Sequence, residues 1–153
     1  MKLQPTKKDI KSFFASKKIA IAGVSRSPQK FGYMVYRDML KKSYPVIPVN
    51  PNTTEILGHS CYTSVSGVPD DTDAIVILTP AGQTASVIEE VLAKGIKKIW
   101  IQQKSESIEA FNLLDNKKVT LIAHNCIFMF MEPVTSIHKV HRWMKSTFGK
   151  MPA

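Results

Sequence analysis

The chain has 153 residues, 44% of them apolar and 22% charged, with a formal charge of +9 from 21 Lys and Arg against 12 Asp and Glu. A chain of this length can bury roughly 68–70% of the surface its unfolded form exposes, so it needs neither disulfide nor metal to hold a core. No apolar run approaches the ~20 residues that span a bilayer, and the N-terminus MKLQPTKKDIK has no apolar signal core, so one soluble domain in a reducing, cytoplasmic setting is expected.

Thr6 can cap a first helix that carries Ile10, Phe13 and Phe14, with Asp9 at the third position in a variant of the capping box. Ile19 to Gly23 (IAIAG) then reads as a short strand ending in glycine. Tyr33 to Lys42 has helical period, with Val35 and Met39 four apart and Lys41 and Lys42 where the helix dipole favours cations. Val46 to Asn50 (VIPVN) is a second strand, cut off by Pro51, and Ala74 to Leu78 is a third. Gln83 to Lys94 carries Val87, Ile88, Val91 and Leu92 on one side, with Thr79 and Pro80 as start signals and Gly95 as a stop. Lys98 to Ile101 is a fourth strand and Val119 to Ala123 a fifth, with a shorter helix from Ser105 to Leu114 between them.

The five strand candidates are β-branched and nearly continuous in apolarity, as strands covered on both faces are. Their alternation with helices predicts an α/β fold with a doubly wound parallel sheet, which binds ligands beyond the carboxyl ends of its strands. Behind this unit the run Cys126 to Met131 (CIFMFM) requires burial, in the sheet or against a second subunit. Pro133 to Phe148 reads as a last helix with Val134, Ile137, Met144 and Phe148 on one stripe beside His141. No repeat or linker divides the chain, so residues 1–153 are expected to form one domain, its core at about 17–126 and a helical extension at about 132–150.

The charge is regional. Residues 1–42 carry +9, residues 43–93 carry −6 without a single Lys or Arg, and residues 94–153 carry +6. Nucleic-acid binders pair basic charge with aromatic platforms, a zinc module or a recognition helix, none of which is legible here. Part of the first excess falls in the segment from Gly23 to Gly32, just after the first strand. Backbone N–H groups there, with Ser25 and Ser27, suit phosphate oxygens, and Arg26 and Lys30 can add charge-assisted contacts. A plain strand-to-helix turn needs only Gly23 and Ser27, so the loop alone leaves both readings open. A dinucleotide-binding sheet places Asp or Glu at the end of its second strand, and this one ends in Asn50 and Pro51. Its glycine fingerprint is absent too, since Gly23 and Gly32 have no glycine between them, and ordinary NAD binding is disfavoured.

The string KKIAIAGVSRSPQKFGYMVYRDMLKKSYPVIPVNPNTTEILGHSCYTSV resembles the CoA-binding domain family, whose stand-alone bacterial members share "AVVGAS-P-R-S", "GY-V-PVNP" and "LG-CY-S". Lys98-Ile-Trp-Ile-Gln102 and Ala123-His-Asn-Cys126 resemble the family's "WLQ" and "DRC" segments, so the likeness covers about residues 17–126. The family is related to the N-terminal domain of the succinyl-CoA synthetase alpha subunit, which implies a Rossmann-like fold holding coenzyme A or an acyl-CoA across its strand ends. Carried over, the resemblance puts the phosphates near Gly23, Val24, Ser25, Arg26, Ser27 and Lys30. It puts adenine and ribose near Asn50, Pro51, Leu78, Thr79 and Pro80, and leaves Gln102 and Gln103 along the floor or the pantetheine path. Gln103 and Lys104 replace the small or apolar residues usual after "WLQ", and His124-Asn125 replaces Asp-Arg.

Other candidates have plainer readings. Cys61 and Cys126 could exchange with a CoA thiol, but both also read as small buried hydrophobes. His138 and His141, three apart, could join His124 and Cys126 around zinc; packing of His141 and exposure of His138 explain them without metal. Lys139, Arg142, Lys145 and Lys150 beside Trp143 and Met144 could meet a membrane or nucleic acid, but a domain-closing helix or a homodimer seam explains the same stripe. No nucleophile elbow or carboxylate pair is visible, so no catalytic residue is assigned. The expected protein is a non-catalytic CoA-binding module with a small-molecule nucleotide partner. A nicotinamide-dependent oxidoreductase and a basic nucleic-acid or membrane-surface protein are its rivals.

Overall fold

The computed structural model describes residues 4–131. Helix α1 (Lys7–Phe14) is opened by the capping box that the sequence spells: Asp9 N donates to Thr6 Oγ1 at 3.1 Å and Thr6 N donates to Asp9 Oδ2 at 2.8 Å. Strand β1 (Ile19–Ala22), helix α2 (Phe31–Lys41) and strand β2 (Val46–Val49) follow. A small hairpin of β3 (Glu55–Ile56) and β4 (His59–Ser60) comes next, then β5 (Ala74–Ile77), α3 (Ala81–Lys94), β6 (Lys98–Gln102), α4 (Ile108–Leu114) and β7 (Thr120–Asn125).

The main sheet has five parallel strands in the order β2-β1-β5-β6-β7, the α/β arrangement expected of a Rossmann-like domain. Of its three interior strands, β1 and β5 are buried at every residue. Alternate side chains of each strand feed opposite layers, which is why the strands read as continuous apolar runs. Ile19, Ile21, Val76 and Trp100 join Phe13, Val35, Tyr36 and Met39 on one face. Ala20, Ala22, Ile75, Ile77 and Ile99 join Ile88, Val91 and Leu114 on the other. From β1 the chain winds outward to β2, then returns past β1 to build β5, β6 and β7 on the far side. The neighbouring carboxyl ends of β1 and β5 are therefore the switch point where such sheets open a crevice.

Three helix starts differ from the sequence reading, and β7 runs to Asn125, two residues past its expected end. Helix α2 begins at Phe31 and α3 at Ala81, each two residues before the expected start. Helix α4 begins at Ile108, three residues after the expected start, because Ser107 supplies the cap, accepting from Ala110 N at 3.1 Å. The apolar run after β7 is buried within this chain: Ile127, Met129, Phe130 and Met131 join the first layer, and the Phe130 ring lies 5.7 Å from that of Trp100. The expected last helix, with His138, His141 and its basic stripe, lies outside the described residues. Among the described residues no helix is long and apolar enough to cross a membrane.

The acidic middle of the chain meets its basic neighbours at the amino ends of the strands. Lys18 pairs with Asp71 at 2.8 Å, Lys94 with Asp70 at 2.7 Å and Lys98 with Asp73 at 3.1 Å. Burial alone would push the Asp73 carboxyl up, but the Lys18 N–H and the Lys98 ammonium together hold it below its ordinary value. Much of the charge segregation thus serves the end of the sheet opposite the crevice.

Candidate functional site at the sheet switch point

The site begins with two glycines. Gly23 leaves β1 with φ +91°, and a Cβ there would lie 2.8 Å from the Leu78 carbonyl carbon and 2.9 Å from Thr79 N. Only glycine takes this conformation freely while letting the loop backbone rest on the exit of β5. A Cβ on Gly32, in the first turn of α2, would run into the Gly23 carbonyl oxygen. The pair is not a dinucleotide fingerprint, yet it performs the same mechanical task of drawing a helix start onto a strand end.

Two helices start at this crevice without a side-chain cap. Neither Lys30 before α2 nor Pro80 before α3 caps its helix, whereas Thr6 and Ser107 cap α1 and α4. Unsatisfied first-turn N–H groups and the positive dipole end favour an anion at such a place. Within the loop, Ser27 N donates to Ser25 Oγ at 3.0 Å and Ser27 Oγ donates to Gln29 Oε1 at 2.8 Å. Among the described residues the Ser25 hydroxyl proton has no acceptor and is left for a ligand oxygen. Arg26 and Lys30 are exposed and pair with no carboxylate among the described residues. Val24 is in the core, so it brings only backbone to the loop.

Asn50 braces this loop from the end of β2. Its Nδ2 donates to the Val24 carbonyl at 2.7 Å and its Oδ1 accepts from Asn52 N at 2.7 Å, while Pro51 is exposed beside it. The position where a dinucleotide binder carries a ribose-reading carboxylate is thus spent on fixing the phosphate-suited turn. Beneath it Cys61 is buried, and burial pushes its thiol up, so it behaves as a small hydrophobe.

On the other side of Gly23 a groove of about 520 Å³ is lined by Leu78, Thr79, Pro80, Gln102 and Gln103, all expected from the sequence, together with Phe31, Lys104, Ser105 and Cys126. Its polar walls are cross-tied. Thr84 Oγ1 donates to the Ser105 carbonyl at 2.6 Å, so the 3.2 Å contact between the two threonine hydroxyls has Thr79 as donor. Gln102 is buried and accepts from Ile127 N at 3.0 Å, and Gln103 Nε2 donates to the His124 carbonyl at 3.1 Å. Phe31 closes the loop side, meeting Phe128 edge to face with ring centroids 5.4 Å apart.

The structure therefore brings the site residues expected from the sequence into two adjoining parts: a loop from Gly23 to Lys30 braced by Asn50, and a groove from Leu78 to Gln103. They meet where Gly23 packs on Leu78 and Thr79. The sequence alone does not single out Phe31, Gly32, Lys104 and Ser105 for the site, although Lys104 departs from the family pattern. Cys126 is only half-buried and lines the groove, so the buried-hydrophobe reading holds for Cys61 more fully than for Cys126.

Fold and site together define a Rossmann-like α/β domain with a crevice at its switch point. Residues 17–132 match the family of the CoA binding domain, and the chain belongs to that family. It is 33% identical over 124 residues to the uncharacterised protein YneT of Bacillus subtilis, covering 80% of this chain and 92% of that protein. It is 30% identical over 151 residues to the ADP-forming acetate–CoA ligase of Methanocaldococcus jannaschii, covering 94% of this chain but only 20% of the ligase. Among solved structures, a conserved hypothetical protein from Pyrococcus furiosus superposes with a TM-score of 0.69 at 40% identity, over 72% of this chain and 95% of that one.

Proposed function

We propose that this protein binds coenzyme A or an acyl-CoA as a non-catalytic module. The phosphates lie on the loop from Gly23 to Lys30, under the uncapped start of α2, and the pantetheine arm enters the groove between the exits of β5 and β6. The observation that carries this reading is the junction at Gly23, which joins an anion-suited loop to a groove walled mainly by neutral side chains. Coenzyme A has that shape: a polyanionic nucleotide followed by a long uncharged arm. Membership of the CoA binding domain family supports it. Asn50 in place of a ribose-reading carboxylate weighs against NAD.

The test is a thermal-shift titration of the full chain with CoA, acetyl-CoA, NAD and NADP. A ligand at about a hundred times its Kd adds about 2.7 kcal/mol to the folded state, which for a domain of this size raises Tm by roughly 5–10 °C. That shift is expected with CoA or acetyl-CoA. No shift with either, beside a clear one with NAD or NADP, would replace this reading with a dinucleotide-binding one.

A further inference from the structure

Of the nine described residues that line the groove, Lys104 is the one that carries a formal charge. Its ammonium pairs with no carboxylate among the described residues, and its side chain is exposed at the rim. The nearest acid in sequence, Glu106, is turned elsewhere: Oε2 accepts from Lys104 N at 3.0 Å, and Oε1 accepts from His124 N at 2.9 Å and lies 3.3 Å from the His124 ring. The Lys104 backbone is held in the left-handed region, φ +74°, by the turn in which Ser105 N donates to the Gln102 carbonyl at 2.9 Å. Glycine takes that conformation at no steric cost and lysine does not.

We infer that Lys104 makes this site selective for acyl-CoA thioesters whose acyl group ends in a carboxylate. The inference rests on the CoA reading above and extends it to the acyl end. The anionic end of the ligand belongs to the loop after β1, and β6 is two strands away across β5. At about 4.8 Å per strand that is about 10 Å, within reach of an extended pantetheine arm. The thioester and its acyl group then come to the β6 exit, where the walls are Gln102, Gln103, Ser105 and Cys126 and the cation is Lys104. A neutral acyl group leaves the ammonium unanswered there. An ω-carboxylate pairs with it.

Calorimetric titration of the full chain with CoA, propionyl-CoA and malonyl-CoA tests this, since the two thioesters differ mainly in a terminal carboxylate. Malonyl-CoA is expected to bind about five- to tenfold more tightly than propionyl-CoA at low ionic strength, the ratio shrinking with added salt. Lys104→Gln should bring the ratio close to one by weakening malonyl-CoA, and Lys104→Arg should keep it. Equal affinities in the wild type, with CoA still bound, would overturn the role of Lys104 and leave the CoA reading standing. So would a Lys104→Gln loss that falls equally on all three ligands, which would mark Lys104 as a phosphate contact. Failure of all three to bind would overturn the CoA reading itself, and this inference with it.

Discussion

Asn50 Nδ2 donates to the Val24 carbonyl at 2.7 Å, so the end of β2 holds the turn that follows β1 from 26 residues away. The same side chain accepts from Asn52 N at 2.7 Å, which fixes its amide orientation. Removing it in Asn50→Ala deletes both bonds and leaves the Val24 carbonyl without this donor. The expected loss is about 1–3 kcal/mol of stability, with weaker CoA binding because the loop is no longer preset. Asn50→Asp keeps the acceptor for Asn52 but sets a carboxylate against a carbonyl, and is expected to be worse than alanine. Urea unfolding beside calorimetric titration measures both effects; an Asn50→Asp variant as stable as wild type would show that the brace is dispensable.

Arg26 and Lys30 are the opposite case, exposed cations with nothing in the described fold to hold. Replacing either with alanine should leave stability within about 0.5 kcal/mol of wild type. CoA affinity should fall roughly tenfold for each, as loss of a charge-assisted phosphate contact implies, and the salt dependence of binding should flatten. Affinities that stay at the wild-type value in both variants would move the phosphates off this loop.

The strands were readable because β1 and β5 are buried on both faces and so leave continuous apolar runs such as Ile19 to Ala22. The capping box was readable because Thr6 and Asp9 act on one another three residues apart. The hairpin of β3 and β4 was not. Each arm has two residues, too few for a period, and the Leu57-Gly58 turn, φ +53° and +74°, was its one local sign. The site was legible where its residues lie on strand exits and illegible where the chain folds back on itself. Nothing in the spacing of Gly23 and Gly32 says that their backbones touch, and Lys104 becomes a groove residue only once β6 lies beside β5. The apolar run from Cys126 had two outlets on paper, and the Trp100 and Phe130 contact chooses burial within the chain.

That contact between glycines gives a prediction independent of any ligand. Gly32 has an ordinary helical position, and alanine would normally favour the helix by about 0.5–1 kcal/mol. Here its Cβ meets the Gly23 carbonyl oxygen and comes within 3.2 Å of Val24 Cα, both backbone atoms that no rotamer change can move. Gly32→Ala should therefore destabilise the fold, by about 1–3 kcal/mol, as overpacking does, and should weaken CoA by displacing the loop. Gly82→Ala, with open space around the added Cβ, is the control and should be neutral or stabilising. Denaturation midpoints of the two variants, compared with wild type, decide the matter. A stabilised Gly32→Ala would mean that α2 and the loop are not in contact.

Tyr36 carries a hydroxyl that is buried in the core without a hydrogen-bond partner among the described residues. Burial, aided by nearby Cys61, pushes its phenol up to about 12 from an ordinary 10.0. A group whose folded pKa is raised binds its proton more tightly in the native state, so its contribution is complete below the unfolded pKa and is lost as pH rises through the folded one. Stability should therefore fall between about pH 10 and 12 as the unfolded chain releases this proton first. In Tyr36→Phe the orphan hydroxyl is gone. Its stability at pH 7 should match wild type or exceed it by about 1 kcal/mol, since no bond is lost and a desolvated polar group is removed. The alkaline decline should be shallower in the variant, and urea midpoints at pH 7 and pH 11 for both proteins give the comparison. A variant less stable than wild type at pH 7 by more than about 1 kcal/mol would mean that the hydroxyl has a partner, and the alkaline argument would fall with it.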